Sequence, residues 1–304
     1  MRTETVKRKM AAVAAVLIMM AAVSCRPAET EFTFAFLTDI HLQPEKKAPE
    51  GLRLAIEKTI ELEPDFVLTG GDQVFDAYDQ GFERADLVYN LYLENAKLLT
   101  MPLYNTLGNH DHFGLGKDTG VDPGHPEYGK KMFTSRQAES RYYSFDYEGW
   151  HFMVLDSVRL IEGGGYRGGI DAEQMAWITE EIENLEPGTP IVLSTHMPFL
   201  SVSFQLSERP SEYRQRGLVI DNGWEVLSLF QGHNLRLVLQ GHLHAYEDIY
   251  VRGIRFVTGG AICSSWWDGL YNDLEEGFLM VRIKGDSIDC EYIDYGWEAV
   301  IEEE

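Results

Sequence analysis

The sequence predicts an α/β fold, and three observations support that prediction. Short apolar runs typical of β-strands alternate with amphipathic helical segments over most of the chain. After residue 244 the pattern changes, and mainly strand-like segments remain. Polar motifs follow several of the apolar runs, and the region just beyond the strands is where an α/β sheet places its ligand sites.

Strands are expected where short apolar runs are bounded by turn residues. They are predicted over residues 32–38, 66–69, 103–107, 142–147, 151–155, 191–195, 235–239, 246–251, 254–258, 278–283 and 287–295. Helices are predicted where the apolar period changes to 3.6 residues: over 51–62, over about 80–99, and near 172–185 and 224–230. Pro64 ends the first of these helices.

Five short motifs lie in a fixed order along the chain and supply side chains that bind hard metal ions. They are Asp39-Ile-His41, Gly71-Asp72, Gly108-Asn109-His110-Asp111, Thr195-His196 and Gly241-His242-Leu243-His244. The glycines suit tight turns in which the backbone approaches the site closely. Any one of these dipeptides is a weak indication, but the ordered set predicts a two-metal site.

The spacing within the first and last motifs suggests how their side chains converge. In an extended segment, residues two apart project to the same face. Asp39 and His41 are therefore expected to face a metal together, and so are His242 and His244.

This set resembles the pattern of the calcineurin-like metallophosphoesterase superfamily: D-x-H, GD, GNH(D/E), H and GH-x-H. The resemblance spans residues 39–244, and it extends to the strand-like pair at 141–156 and the helix start at 169–178. It implies a four-layer αββα sandwich, in which two mixed β-sheets are flanked by helices. Because one site draws on residues 39–244, we expect a single domain over 32–304.

The resemblance also implies two groups of metal ligands that share Asp72. Around one metal it places Asp39, His41, Asp72 and His244, and around the other Asp72, Asn109, His196 and His242. A carboxylate has two oxygens, so Asp72 is able to bridge the pair. The donors are oxygen and imidazole without thiolate, which favours two Fe, Mn, Zn or Co ions without choosing among them.

The implied reaction is hydrolysis of a phosphate ester. Two ions roughly 3.5–4 Å apart supply a hydroxide at neutral pH and clamp the phosphate. His110 resembles the general acid of the family, which protonates the leaving oxygen. Asp76 and Asp111 are both candidates to orient His110, and the alternative role of Asp111 is to cap a loop.

The N-terminus is predicted to be a processed segment. Basic residues precede an apolar run over 10–23, and Ser24-Cys25 follows, which resembles a lipoprotein signal. Residues 1–24 would then be removed, Cys25 acylated and 25–31 left as a tether, so that the protein is exported and lipid-anchored to a bacterial membrane. A plain signal peptide and an uncleaved anchor are the alternatives, although the apolar run is short for a membrane span.

Charge limits the classes of partner. The formal net charge is −23, and removal of residues 1–24 would change it to −26. Nucleic-acid binding is not expected, because it depends on Lys and Arg that neutralise phosphates and no basic stripe is present. A small phosphorylated substrate fits better, and the membrane is expected to be contacted only through acylated Cys25. The sequence does not indicate an oligomeric state.

Substrate recognition is expected in three long loops, 113–139, 198–221 and 261–276, because loops on a rigid scaffold carry variable recognition. The third contains Trp266, Trp267 and Tyr271, whose rings are able to stack on a base or a sugar. The second contains aromatic and arginine side chains: Phe199, Phe204, Tyr213, Arg209, Arg214 and Arg216. The alternative in each case is that the aromatics pack the loop and the arginines pair with nearby acids.

Phosphodiesters, including cyclic nucleotides, are the favoured substrates, because DIHL and GNHD resemble the cyclic-nucleotide phosphodiesterase branch of the superfamily. A phosphomonoesterase or a nucleotide pyrophosphatase of the same fold is the alternative, and a catalytically inactive metal-binding scaffold is an alternative of another class.

The remaining histidines are expected to be surface or packing residues: His112, His125, His151 and His233. Cys263 and Cys290 either pair in an oxidising compartment or remain separate thiols.

Overall fold

Two β-sheets pack face to face in the computed structural model, which describes residues 30–161, 165–203 and 217–299. The helices are α1 (Ala48–Glu61), α2 (Phe82–Ala96), α3 (Lys131–Arg136), α4 (Ala172–Glu183) and α5 (Gly223–Leu229). The strands are β1 (Glu31–Leu37), β2 (Phe66–Thr69), β3 (Leu103–Tyr104), β4 (Tyr143–Tyr147), β5 (Trp150–Leu155), β6 (Val158–Leu160), β7 (Tyr166–Gly168), β8 (Pro190–Thr195), β9 (Asn234–Gln240), β10 (Tyr246–Val251), β11 (Ile254–Gly259), β12 (Gly277–Lys284) and β13 (Ser287–Asp294).

Both large sheets are mixed. The first has the strand order β13-β12-β1-β2-β3, with β1, β2 and β3 parallel and β12 antiparallel to its two neighbours. The second has the order β10-β11-β9-β8-β5-β4, with β5, β8, β9 and β11 parallel and the two edge strands antiparallel. Strands β6 and β7 form a separate hairpin.

Three apolar layers hold the sheets and helices together. Phe34, Phe66 and Phe152 lie between the two sheets, and the Phe34 and Phe66 rings stack with centroids 4.9 Å apart. Side chains of α1 and α2 pack on the outer face of the first sheet, and side chains of α4 and α5 pack on the outer face of the second. The order of layers is helix, sheet, sheet, helix, so the predicted αββα fold class is confirmed.

The element boundaries differ from the predicted ones where local contacts replace the sequence pattern. The first helix begins three residues early, at Ala48, because a proline is tolerated in the first turn of a helix. Strand β3 stops at Tyr104, since the N–H of Thr106 bonds to the side chain of Thr69. The predicted loop 113–139 contains α3, which sequence analysis missed. The hairpin of β6 and β7 was also missed.

Some expectations fall outside the described residues. These are the signal segment, Cys25 and most of the tether, together with Phe204, Arg209, Tyr213, Arg214 and Arg216 of the second long loop. Within the described part of the chain, no helix is long and apolar enough to cross a bilayer.

Candidate metal centre

The predicted ligands lie just beyond the carboxyl ends of five strands. Asp39 and His41 follow β1, Asp72 follows β2, Asn109 follows β3, His196 follows β8, and His242 and His244 follow β9. Because these strands are parallel within each sheet, their carboxyl ends meet at one edge of the sandwich. The structure therefore brings together all seven side chains that the sequence predicts.

The reason that sequence analysis gave for their convergence is wrong. Asp39, His41, His242 and His244 are not extended; their φ angles are 51°, 43°, 71° and 51°, in the left-handed region. Alternation along a strand therefore does not align them. Strand β1 ends at Leu37, and the chain turns within the loop. Such conformations are uncommon outside glycine and concentrate at functional sites.

Backbone hydrogen bonds fix these loops against one another. The N–H of Asp39 donates to Gly71 O at 3.1 Å, and the N–H of His41 donates to Asp72 O at 2.9 Å. A Cβ atom at Gly241 would lie 2.1 Å from Thr38 Oγ1, so only glycine fits there. The expected close approach of backbone at this glycine is confirmed.

The first group of donors surrounds His41 and His244. The Nε2 atoms of these two rings are 3.1 Å apart. His244 Nε2 lies 3.6 Å from Asp39 Oδ1, and His41 Nε2 lies 3.6 Å from Asp72 Oδ2. Ligand atoms ~2 Å from a shared ion lie about 3–3.5 Å from one another, so this spacing suits a bound metal.

The second group of donors surrounds His196. Its Nε2 atom lies 3.1 Å from Asp72 Oδ2 and 2.9 Å from Asn109 Oδ1. Single ligand atoms of Asp72, His196 and His242 all lie within 4.8 Å of one another. Asp72 Oδ2 thus belongs to both groups, which is the arrangement expected of a bridging carboxylate.

The protonation state of His242 decides whether its ring is available to a metal. Its Nε2 atom is buried and has no hydrogen-bond partner among the described residues. Burial lowers the pKa of His242 to about 3, so the ring is neutral and carries a lone pair. An unpartnered buried nitrogen is costly unless something occupies it, and a metal requires a neutral imidazole. The donor set therefore fits two transition-metal ions.

Neighbouring groups orient the ligands. His196 Nδ1 faces Gly70 O at 2.8 Å, and His244 Nδ1 faces Ser264 O, which leaves each Nε2 for the metal side. Thr38 Oγ1 donates to Asp39 Oδ2 at 2.6 Å. Sequence analysis missed Thr38, for which adjacency to the first motif was the available signal. The two carbonyl partners leave no signal in the sequence, because any residue supplies a backbone oxygen.

His110 lies at the edge of the same site. Its Nδ1 atom contacts Asp76 Oδ1 at 3.3 Å, and its ring centroid is 4.8 Å from that of His41. Burial lowers the pKa of His110, but the charges of Asp72 and Asp76 raise it to about 9. The direction of this pKa shift favours the protonated ring that a general acid requires.

The Asp111 carboxylate binds backbone N–H groups, whereas Asp76 contacts His110. The carboxylate of Asp111 is fully buried and accepts backbone N–H bonds from Asp72, Gln73 and Gly108 at 3.0, 2.9 and 2.8 Å. Of the two candidates to orient His110, the structure places Asp76 in contact with it. The geometry of Asp111 matches its alternative role as a carboxylate that caps a loop.

A family model for calcineurin-like phosphoesterases matches residues 32–246, which include both donor groups. The chain belongs to the calcineurin-like phosphoesterase family. A probable cyclic nucleotide phosphodiesterase of Synechococcus sp. (strain WH7803) is 24% identical over 199 residues, which cover 63% of this chain. The matched region spans 64% of that relative.

Solved structures show the same fold. A dimetal phosphatase of Danio rerio superposes with a TM-score of 0.60 at 13% identity, covering 87% of this chain and 99% of the other. The purple acid phosphatase PPD1 of yellow lupin (Lupinus luteus) has a TM-score of 0.58 at 14% identity, and the match covers 88% of this chain and 52% of the other. These two structures share the fold of this calcineurin-like phosphoesterase.

The remaining polar residues of this calcineurin-like phosphoesterase lie where packing explains them. His112 is buried, with Nδ1 3.2 Å from Asn109 O, and His151 Nδ1 contacts Asp146 at 2.8 Å. His125 packs on Phe82 and Phe113, and His233 is exposed. Cys263 and Cys290 are free, as the unpaired alternative expects. Cys263 Sγ lies 3.9 Å from His244 Nδ1, and one ligand atom each of Cys263, His41 and His244 lie within 4.8 Å of one another, which places a thiol beside the first donor group.

A cleft of about 640 Å³ opens beside the two donor groups. His41, His110 and His242 line its floor, and Trp266 and Tyr271 line one wall. Trp267, grouped with Trp266 in the sequence, does not reach the cleft; it is 1% exposed and packs into the core. Trp267 therefore follows the alternative in which an aromatic side chain packs the loop, and it does not contact the cleft.

Proposed function

We propose that this phosphoesterase hydrolyses small phosphodiesters outside the cytoplasm, where lipid on Cys25 holds it to a membrane. The observation that carries the proposal is the open cleft beside two donor groups that share Asp72. The cleft is large enough for a second ester group beside the phosphorus. The printed name of the cyanobacterial relative, a probable cyclic nucleotide phosphodiesterase, supports the same substrate class.

The charge of the cleft favours a diester over a monoester. No lysine or arginine lines it within the described ranges, whereas Asp273 does. A phosphate monoester carries nearly two negative charges at neutral pH and a diester carries one. A monoester would gain more than a diester from an added lysine or arginine, and the described lining offers it none beside the metal ions and the His110 ring.

The seven predicted ligands, His110 and Asp76 each have a role in this reaction. The first ion would be held by Asp39, His41, Asp72 and His244, and the second by Asp72, Asn109, His196 and His242. When bound, the ions supply Lewis acidity and a nucleophile at neutral pH. His110 reaches the floor of the cleft and carries the proton that a leaving oxygen needs. Asp76 contacts Nδ1 of that ring, which leaves Nε2 to donate.

The test is hydrolysis of bis(4-nitrophenyl) phosphate and 4-nitrophenyl phosphate by the protein loaded in turn with Mn, Fe, Zn or Co. We expect a higher kcat/KM for the diester, and loss of both activities in Asp72→Asn. Preference for the monoester would replace this proposal with a phosphomonoesterase. A metal-loaded protein that hydrolyses neither ester, nor a nucleotide pyrophosphate, would favour an inactive scaffold.

The lipid anchor has a separate test. Cells that express the full chain are labelled with a clickable fatty acid, and membranes are separated from soluble protein. We expect label and membrane association in the wild type and neither in Cys25→Ser. Membrane association without label would indicate an uncleaved anchor, and a soluble exported protein would indicate a plain signal peptide.

A further inference from the structure

We propose that Trp266 and Tyr271 form a stacking site for a neutral planar ring in the substrate, either a nucleobase or an aryl group. This inference rests on the proposed function, since the ring belongs to an ester of the phosphate held at the metal centre. The two side chains, here called the aromatic wall, line the cleft and are half-buried. Their ring centroids are 5.9 Å apart with planes at 85°.

The aromatic wall lies close to the histidines that are predicted to bind the metal. The Trp266 ring lies 4.6 Å from the ring of His244 and 6.0 Å from that of His41, and Tyr271 lies 5.8 Å from His244. A phosphate bound at the ion that these histidines would hold lies next to the wall, so that its ester group is able to contact it. A ring attached within a few bonds of the phosphorus therefore reaches Trp266.

The neighbouring Trp267 is buried, so the two tryptophans of this loop differ in whether they reach the cleft. Trp267 Nε1 donates to the carbonyls of Ile40 and His41 at 3.1 and 3.2 Å, and its ring fills the space above Gly51, where a Cβ would lie 2.3 Å away. Trp267 thus fixes the loop to the first metal motif. The same anchor leaves the ring of Trp266 facing the cleft.

The wall is held rigidly before any ligand binds. Tyr271 and Leu274 exchange backbone hydrogen bonds of 3.2 and 3.0 Å across a tight turn, and Ser264 Oγ bonds to the backbone of both. Trp266 and the two central residues of the turn have φ angles of 50°, 53° and 63°. Asn and Asp favour this conformation at the centre of a two-residue turn, and a preorganised aromatic surface loses little entropy on binding.

Among the described residues, the charge beside the wall disfavours an anionic ring. Asp273 is exposed at the cleft, and no described Lys or Arg lines it. An anionic ring substituent would be repelled, while nucleobases and simple aryl groups are uncharged. Stacking on aromatic side chains tolerates any flat ring, because every such ring has a π-face.

The kinetic test compares two diesters with the same leaving group: methyl 4-nitrophenyl phosphate and 2-naphthylmethyl 4-nitrophenyl phosphate. The metal-loaded wild type should show a KM about tenfold lower for the naphthylmethyl ester. Trp266→Leu should abolish this difference, Trp266→Phe should keep part of it, and Tyr271→Leu should reduce it. Metal content is measured in each variant, since Trp266 touches a predicted ligand.

Trp224→Leu is the matched control. Trp224 is 76% exposed on α5 and lines a separate groove, so its removal should leave both KM values unchanged. Equal KM values for the two esters in the wild type, or a preference that survives in Trp266→Leu, would overturn the inference while the proposed function stands. Failure to hydrolyse either diester would instead contradict the proposed function.

A binding test does not depend on turnover. Calorimetry on the metal-loaded protein compares methylphosphonate, benzylphosphonate and the phosphonate analogue of adenosine 5′-monophosphate. Tighter binding of the benzyl compound alone identifies an aryl site, and tighter binding of the adenosine compound identifies a nucleobase site; each gain should disappear in Trp266→Leu. Equal affinity of all three phosphonates would overturn the inference whether or not the protein hydrolyses diesters.

Discussion

The carboxylate of Asp111 accepts hydrogen bonds from the backbone N–H groups of Asp72 and Gln73, at 3.0 and 2.9 Å. It also accepts one from Gly108, at 2.8 Å. One buried acid therefore joins the loop that carries the shared carboxylate to the loop that carries Asn109. This connection fixes the loop of Asp72, which both donor groups share, against the loop of Asn109.

Asp111→Asn should therefore destabilise the protein and weaken its metal binding. The amide NH₂ would face backbone donors, and a buried donor without an acceptor costs about 1–3 kcal/mol in free energy of unfolding. Urea unfolding measures the loss of stability, and metal retention after dialysis measures the weaker metal binding. Asp118→Asn, at an exposed aspartate, is the control. Equal stability of the two variants would contradict the connecting role of Asp111.

His110→Ala should act selectively on substrates with poor leaving groups. An alkoxide needs a proton as it departs, so its release should slow by about 10²–10⁴-fold. A 4-nitrophenolate leaves without protonation, so its release should change little. The measurement is kcat/KM for a dialkyl and a 4-nitrophenyl diester. An equal loss on both would show that His110 does not act as the general acid.

Asp76→Asn should reproduce that selectivity with a smaller loss, because Asp76 Oδ1 contacts His110 Nδ1 at 3.3 Å. Its charge also helps to raise the pKa of His110 to about 9. The comparison with Asp111→Asn on the same two diesters separates the two roles. If Asp111→Asn gives the leaving-group selectivity and Asp76→Asn does not, the geometric assignment is wrong.

His242→Ala should remove one of the two metal ions. The buried Nε2 has no partner among the described residues and belongs with Asp72 and His196. His233→Ala removes an exposed imidazole and should leave the metal content unchanged. Elemental analysis after dialysis gives the ratio of metal to protein. Retention of two ions in His242→Ala would exclude it as a required ligand.

Asp171→Ala should lower stability in a pH-dependent way. Asp171 caps α4 by accepting from Gln174 N at 2.9 Å and pairs with Arg141 at 2.8 Å. Loss of such a cap costs about 1 kcal/mol in free energy of unfolding. Burial raises the pKa of Asp171, but the hydrogen bond from Gln174 and the charge of Arg141 outweigh it, so that the pKa is lowered.

A lowered pKa makes this contribution complete above the unfolded-state value, ~3.9, and it disappears as the pH falls through the folded-state value. The difference in unfolding free energy between wild type and Asp171→Ala should therefore be constant near neutral pH and shrink below about pH 4. Chemical unfolding over this range measures it. If the difference in unfolding free energy grew as the pH fell, the lowered pKa of Asp171 would be contradicted.

Most elements were predictable because their signals are local. The buried strand Phe66–Thr69 is a continuous apolar run between turn residues, and it forms with the predicted bounds. The helix Lys131–Arg136 was missed because six residues are too few to display a helical period. The strands Val158–Leu160 and Tyr166–Gly168 were missed because three residues cannot show alternation.

The sequence by itself determined the family, the αββα class and which side chains are available to two metals, because five motifs in a fixed order carry the resemblance although each alone is a weak signal. Tertiary structure alone decided that Asp76 contacts His110, that Asp111 caps the loop of Asp72, and that Trp266 faces the cleft while Trp267 is buried. These choices depend on how loops from different strands pack, and on left-handed backbone at Asp39 and His242. Such packing joins residues far apart in the chain, so no local pattern records it.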